Sequence, residues 1–177
     1  MTMMAIALVS FTFTSCDEDE DIAYTLEGWW VGDLHVTSSW NERDYYATES
    51  YVYFDKDPSE WASGKGFWVD YYSDASWDYI ASHIEWNVDN GVIKVYFIED
   101  DYDVEIYDYR LNDDYFEGRL RTRDGKNISF RLRKTASKNW HDYDGWDYNV
   151  QPKGLNEVSR ASASKGERPQ RAFRLKE

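Results

Sequence analysis

Cysteine, proline and histidine are scarce in this chain of 177 residues. It contains one cysteine, three prolines and three histidines. One cysteine cannot form an internal disulfide, so a fold held together by disulfides is excluded. Few prolines leave the hydrogen-bond ladders of β-strands unbroken. The histidines (His35, His83 and His141) stand in no metal-ligand spacing, and no serine has the context of a nucleophile elbow. We therefore expect no metal site, no cofactor and no enzyme activity.

Positive charge is also scarce, and it is unevenly placed. The net charge of the chain is −14. The stretch from Pro152 to Glu177 holds seven basic and three acidic side chains, so it carries +4 and the rest of the chain carries −18. An acidic body repels phosphate backbones, which argues against nucleic acid as a partner. The distribution predicts an acidic body followed by a basic tail.

A short uncharged leader precedes the only cysteine. Residues 1–16 read MTMMAIALVSFTFTSC, which is shorter than the run of about 20 apolar residues that a membrane-spanning helix needs. This length is typical of a secretory signal, so residues 1–15 are predicted to be a signal peptide. Cys16 follows the small residues Thr14 and Ser15 and precedes the acidic run Asp17–Asp21. The alternative is that Cys16 is an ordinary free thiol.

The arrangement around Cys16 resembles the lipobox of bacterial lipoproteins. The acidic run after it resembles the export signal of surface-exposed lipoproteins of Bacteroidota. The resemblance implies that Cys16 is the site of lipid attachment and that this lipid is the protein's contact with the membrane. It also implies an outer-membrane location with exposure at the cell surface. Two or more acyl chains on the cysteine would give stable anchoring. Residues 16–25 would then form a solvated acidic tether.

Aromatic side chains make up 18% of the chain. Disordered acidic sequences are poor in aromatics, and aromatic residues favour strands, so the body is expected to be a folded β-structure. Apolar and polar residues alternate with a period of two. This alternation predicts eight strands: Gly28–Thr37, Thr48–Phe54, Gly64–Tyr72, Ile80–Val88, Val92–Ile98, Val104–Leu111, Tyr115–Thr122 and Asn127–Lys134. A short helix is expected only at Asp74–Tyr79 or Pro58–Ser63.

The turns between these strands favour an antiparallel meander. Asn90-Gly91 and Asp124-Gly125 are strong hairpin signals, because a type I′ turn needs positive φ at both central residues. Parallel pairing would need long crossovers, and the sequence shows none. Closing the meander into a barrel removes its two edges and covers its apolar face. The predicted fold is all-β, an up-and-down barrel formed by residues 26–148.

The first predicted strand opens with Leu26-Glu27-Gly28-Trp29-Trp30. This resembles the L-x-G-x-W opening of lipocalin-like barrels. The resemblance implies that Trp30 packs across the closed end of the barrel, under a basic residue of the last strand, either Arg131 or Arg133. Residues 16–148 as a whole resemble a group of small, functionally uncharacterised lipocalin-like lipoproteins of Bacteroidota. Such a resemblance implies a fold and a location rather than an activity.

Three segments carry charge without an evident structural period. Residues 149–177 contain few large apolar side chains, so we expect a disordered basic tail that is dispensable for folding. Asp142–Asp147 and Glu99–Asp103 are rich in carboxylates, but they lack the loop length and the distal glutamate of an EF-hand. They are predicted to be solvated turns rather than calcium loops.

The aromatic residues supply the candidates for a binding site. The chain has 32 aromatic rings, more than a core of this size is expected to hold, so some should reach the surface or the barrel mouth. The candidate ligand-binding residues are Trp30, Phe67, Trp68, Tyr71 and Tyr72. Alternation puts Phe67, Val69 and Tyr71 on one face of their strand, and because this set is the more apolar it is predicted to face inward. Trp68, Asp70 and Tyr72 would then face outward.

Two classes of function remain open at this point. The first is a non-catalytic binding module for a small apolar ligand or a glycan. The second is a structural or interaction subunit that docks to other envelope proteins and has no ligand cavity. Ordinary core filling and aromatic cross-strand pairs also account for many of the rings.

Overall fold

The computed structural model describes residues 16–136 and 169–175, and within them it shows one helix and ten strands. The elements are α1 (Cys16–Leu26), β1 (Gly28–Asp33), β2 (Val36–Trp40), β3 (Arg43–Lys56), β4 (Ser63–Tyr72), β5 (Tyr79–Asp89), β6 (Val92–Phe97), β7 (Tyr102–Leu111), β8 (Tyr115–Thr122), β9 (Asn127–Thr135) and β10 (Gln170–Phe173). No helix among these elements is both long and apolar enough to cross a membrane. The predicted signal peptide and the Asp142–Asp147 segment lie outside the described residues.

The strands form a closed antiparallel barrel. β3 to β9 pair in sequence order, and β1 closes the ring by pairing with both β9 and β3. Trp30, for example, faces Lys134 on β9 and Val52 on β3. Eight strands thus share one continuous ladder without an edge, which confirms the predicted all-β up-and-down barrel.

The first predicted strand is divided into two in the structure. His35 has a φ of 55° between β1 and β2, and its backbone N–H donates to Asp33 Oδ1 at 2.7 Å. The 14-residue β3 runs past this break, so its second half pairs with β1 and its first half pairs with β2. β2 therefore leaves the closed ring, and its outer edge pairs with β10.

The hairpin between β5 and β6 has the predicted geometry. Asn90 has a φ of 51° and Gly91 a φ of 74°, as a type I′ turn requires. No heavy atom lies within 4 Å of a Cβ placed on Gly91. The glycine is therefore needed for its backbone conformation and not for space.

The acidic stretch at the start of the described chain is helical, so its predicted role as a solvated tether is wrong. Asp19, Ala23 and Leu26 lie on one face of α1 because they are spaced by four and three residues. Ala23 and Leu26 are fully buried. The Asp19 carboxylate accepts hydrogen bonds from the backbone N–H groups of Asn90 (2.9 Å) and Gly91 (2.8 Å). The helix is thereby fixed to the barrel at the β5–β6 turn. No helix forms at Pro58–Ser63 or Asp74–Tyr79, where one was expected, because 58–62 and 74–78 are turns and bends and the last residue of each range begins a strand.

Buried side chains of the barrel strands form one connected interior cluster. Within it, Phe116 contacts both Trp30 and Phe130, with ring centroids 5.7 and 5.0 Å apart. Phe54 meets Trp86 at 5.6 Å with their planes nearly perpendicular. Such edge-to-face contacts stabilise a pair beyond its buried area. The interior of the barrel is thus packed with rings from several strands.

Candidate functional site

Trp30 closes one end of the barrel, as predicted. Its side chain is fully buried, and its indole N–H donates to the carbonyl oxygen of Leu26 at 2.7 Å. The basic residue over its ring is Lys134, with Nζ 5.0 Å from the ring centroid. The prediction of Arg131 or Arg133 is wrong, because both lie on the opposite, exposed face of β9. Trp30 therefore packs against the end of α1.

The inward phase predicted for β4 is also wrong. Trp68, Asp70 and Tyr72 face the interior and are 1%, 0% and 4% exposed. Phe67 and Tyr71 face outward and are half-buried. The outward set is apolar because it packs in a second cluster on the outer wall. There Val69 contacts Trp29 and Ala81, and four half-buried tyrosines surround them: Tyr51, Tyr53, Tyr71 and Tyr79.

The charge of the inward-facing Asp70 is balanced by Arg171 from β10. The Asp70 and Arg171 side chains are 0% and 2% exposed. The Arg171 guanidinium donates to Asp70 Oδ2, to Asp100 Oδ2 at 3.0 Å and to Ser82 Oγ at 2.9 Å. Its Cζ also lies 4.6 Å from the ring centroid of Phe97. Two carboxylates, a hydroxyl and an aromatic face thus surround one guanidinium group, and we call this cluster the guanidinium pocket.

The second oxygen of Asp70 is also fully bonded. Oδ1 accepts from Ser50 Oγ at 2.6 Å and from the indole N–H of Trp68 at 3.0 Å. Burial raises the pKa of Asp70 because desolvation of the carboxylate outweighs the attraction of Arg171 and these hydrogen bonds. Burial alone would lower the pKa of Arg171, but the charges of Asp70 and Asp100 raise it, so the guanidinium stays charged. A buried pair of this kind is stable only as a pair.

The rest of the barrel mouth is closed by aromatic side chains. Phe173 of β10 is 2% exposed and contacts Trp68 and Tyr102, at centroid distances of 6.2 and 6.3 Å. Trp77, from the connection between β4 and β5, contacts Tyr45 at 4.9 Å and Tyr72 at 5.9 Å. The mouth is therefore occupied by side chains, two of them from the C-terminal end of the chain.

The predicted disorder of the basic tail is wrong for its last described residues. Residues 169–175, which we call the C-terminal segment, contain β10, and this strand pairs with β2 in antiparallel register from Gln170↔Ser39 to Phe173↔Val36. The prediction of a solvated turn at Glu99–Asp103 fails at Asp100, which binds Arg171. Arg171 and Phe173 are two residues apart, a period-two signal that sequence reasoning missed because the segment is short and lies within a basic tail.

A second concave feature lies on the outer wall of the barrel. A groove of about 630 Å³ crosses β4 to β7 beside the turn that follows β3. It is lined by five acids, two lysines, Tyr96 and Trp86, together with smaller residues of β4 to β7. Lys65, Glu85, Tyr96 and Asp103 form one row across the four strands. The row therefore holds three charged groups and one exposed ring.

Within the described residues, no three side chains among His, Cys, Asp and Glu converge as a metal site. His83 instead contacts Glu99 through Nδ1, and its backbone N–H donates to Glu99 Oε2 at 2.8 Å.

Comparison with known proteins identifies no relative of this chain. No protein-family model matches it, no curated protein matches it, and no solved structure matches it.

Proposed function

We propose that this protein is a non-catalytic binding module of the cell envelope that holds a glycan in the groove on its outer wall. Lipid on Cys16 would anchor it to the outer membrane, at the cell surface. The observation that carries the proposal is the groove itself. Its volume of about 630 Å³ lies within the range of about 300–1,000 Å³ typical of small-molecule sites.

The chemistry of the groove suits the hydroxyl groups and apolar faces of a sugar. Tyr96 is 37% exposed, and its hydroxyl donates to Asp101 at 3.0 Å. This bond fixes the ring, which could then stack against a sugar face. Lys65 and Glu85 lie 3.7 Å apart and are 77% and 50% exposed. They supply a donor and acceptors on either side of a hydroxyl group.

A glycan is favoured over an apolar ligand by the packing of the barrel. An apolar ligand in the interior would have to separate rings such as Trp68 and Phe97, whose centroids are 5.0 Å apart. It would also meet the ion pair between Asp70 and Arg171. Separating these groups would lose their contacts and leave buried charges unpaired, which costs free energy.

The position of α1 determines which end of the barrel a lipid on Cys16 would hold near the membrane. Cys16 and Asp19 lie three residues apart at one end of α1, a rise of about 4.5 Å. Asp19 is bonded to the β5–β6 turn. A lipid on Cys16 would therefore hold this end of the barrel close to the membrane surface, with the guanidinium pocket at the other end of the barrel from Trp30.

Calorimetric titration with neutral hexasaccharides of glucose, xylose and mannose tests the glycan site. Tyr96→Ala and Glu85→Gln should weaken binding of the sugar that the native protein binds. Tyr107→Ala is the matched control. Tyr107 on β7 faces outward, as Tyr96 does on β6, but it lies outside the groove, where its hydroxyl donates to Asn127 Oδ1 at 2.8 Å. Equal binding by Tyr96→Ala and Tyr107→Ala would contradict the proposed site.

Lipid attachment is tested separately. Mass spectrometry of the membrane-extracted protein should show an acylated N-terminal cysteine at position 16. Cys16→Ala should move the protein to the soluble fraction. An unmodified Cys16 in a fully soluble protein would contradict the anchor without bearing on the glycan groove.

The alternative function is an interaction subunit without a ligand cavity. The observation that favours it is the pairing of β10 with the outer edge of β2. Addition of a strand to an exposed sheet edge is a common way for proteins to bind peptides. Failure of all sugars to bind would leave this alternative as the better account.

A further inference from the structure

The C-terminal segment contacts the barrel as an extended peptide contacts a receptor. Its backbone adds to the outer edge of β2, and two alternate side chains enter the barrel mouth. Arg171 enters the guanidinium pocket, and Phe173 packs between Trp68 and Tyr102. Backbone pairing with pockets for alternate side chains is the usual arrangement of strand-addition complexes. Arg174 and Leu175, by contrast, are exposed.

The connection between barrel and segment is long in sequence. Thirty-two residues separate Ala136 from Pro169. Fully extended, they would reach about 100 Å. A barrel of this size has a radius of gyration of about 14 Å. The chain is therefore long enough to bring the segment to the mouth of an adjacent copy.

Exchange between copies would conserve every contact of the docked segment. The same β2 edge and the same pocket are offered by each copy, so docking within a chain and docking between chains make identical interactions. Their balance depends on the effective concentration of the tethered segment, which falls as the connection lengthens. Charge supports the pairing, because a basic segment meets an acidic barrel.

We propose that the β2 edge and the guanidinium pocket form a strand-binding site for a second copy of this chain, which supplies its own C-terminal segment in exchange. Arg171 is the residue that the site recognises, since it alone fills the pocket between Asp70 and Asp100. This proposal is independent of the glycan groove and of the lipid anchor.

Cysteine cross-linking of full-length chains tests the exchange. Ala172 faces Thr37 in the register of β10 and β2. Facing residues in antiparallel strands have Cα atoms about 4.5–5.5 Å apart, which suits a disulfide.

One chain carries Thr37→Cys and a tag of distinct mass, and the other carries Ala172→Cys. Both carry Cys16→Ser, which removes the native thiol. The two are mixed, equilibrated and oxidised at concentrations from micromolar to about 1 mM, which reaches the millimolar effective concentration of short flexible linkers.

A disulfide-linked heterodimer whose yield rises with concentration is the expected result. Adding Arg171→Ala to the Ala172→Cys chain should lower the yield about tenfold or more, because the pocket then lacks its cation. Adding Arg174→Ala instead should change the yield by no more than about twofold, because the Arg174 side chain is exposed and contacts the barrel over the ring of Tyr46.

The control is a single chain carrying both Thr37→Cys and Ala172→Cys, which should form a disulfide within the chain. If this control forms its disulfide but the mixture gives no heterodimer at any concentration, the exchange is disproved. Equal yields with Arg171→Ala and Arg174→Ala would disprove recognition through the guanidinium pocket. Circular dichroism of each variant, compared with the native chain, verifies that all of them fold.

Discussion

Arg171 and Asp70 lie 101 residues apart in the sequence and form an ion pair buried in the barrel mouth. The pair joins β10, the last described strand, to β4 of the barrel wall. Each partner is desolvated, so neither is stable there without the other. This relationship makes the C-terminal segment part of the folded domain.

The first prediction concerns the buried ion pair. Arg171→Ala should lower the free energy of unfolding by about 3–5 kcal/mol, because it leaves Asp70 buried without its cation. Arg174→Ala is the control, since Arg174 is exposed and packs over the ring of Tyr46, and its effect should stay within about 0.5 kcal/mol. Urea unfolding measures both. The double variant Asp70→Leu/Arg171→Met should recover much of the loss, whereas a loss larger than that of Arg171→Ala would contradict this account.

A second prediction concerns docking of the segment through Phe173. Phe173→Ala should cost about 3–5 kcal/mol, as expected for a buried phenylalanine. Leu175→Ala should have little effect because Leu175 is 58% exposed. Removal of residues 169–177 should lower the melting temperature by more than either single change. An unchanged melting temperature after this deletion would show that the barrel mouth is stable without β10.

The two adjacent tryptophans of β1 should differ in their contribution to stability. Trp30 lies in the interior cluster, and Trp30→Ala should cost about 3–5 kcal/mol. Trp29 lies in the outer cluster and stacks on Tyr53 at 4.8 Å. The tyrosines around it, including Tyr53, are half-buried, so solvent can partly fill the space that Trp29 leaves and Trp29→Ala should cost less. Thermal unfolding of both variants measures the difference, and the reverse order would contradict the assigned roles.

Asp19 should stabilise the contact between α1 and the barrel. Asp19→Ala removes the acceptor of two backbone hydrogen bonds at the β5–β6 turn, and we expect a loss of about 1–3 kcal/mol. Glu18→Ala is the control, because Glu18 is an exposed acid on the same helix. Hydrogen exchange of the Asn90 and Gly91 amides should accelerate in Asp19→Ala alone. Equal exchange in the two variants would mean that Asp19 does not hold the turn.

Alkaline pH should destabilise the fold through its buried tyrosines. Burial raises the pKa of Tyr109 from 10.0 to about 12, and the charges of Asp19 and Glu18 add to the effect. Burial likewise raises the pKa of Tyr72. A tyrosine whose folded pKa is raised stabilises the fold fully below pH 10, and this contribution is lost as the pH rises from there through the folded pKa.

The measurement is urea unfolding as a function of pH, with ultraviolet absorbance following ionisation of tyrosine. Tyr109→Phe should reduce the decline of stability between about pH 10 and 12, because one of the contributing groups is absent. Its stability at neutral pH is compared first, since the variant also loses the hydrogen bond to the Gly91 carbonyl oxygen. An unchanged slope above pH 10 would exclude Tyr109 as a source of the pH dependence.

Local pattern was enough to predict most of the barrel. Period-two alternation and turn residues such as Asn90-Gly91 act over a few residues, so they can be recognised without knowing what packs against them. The burial of Trp30 was predicted differently, from the resemblance of its motif to the L-x-G-x-W opening of lipocalin-like barrels. The candidate site was less predictable. Of its proposed residues, Trp68 and Tyr72 face inward while Phe67 and Tyr71 face outward, the opposite of the expectation.

The all-β class and the order of the meander could be predicted from the sequence, because they follow from the alternation of neighbouring residues and from the turns between strands. The inward position of Trp30 was implied by the resemblance of its motif to the opening of lipocalin-like barrels. Which face of β4 is buried, which basic residue covers Trp30 and where the last strand docks depend on contacts between distant residues, so these became known only from the folded structure. Asp70 is acceptable inside the barrel because Arg171 neutralises it, and that compensation acts between residues 101 positions apart. A local rule places charges outside, and only a partner brought close by folding reverses it.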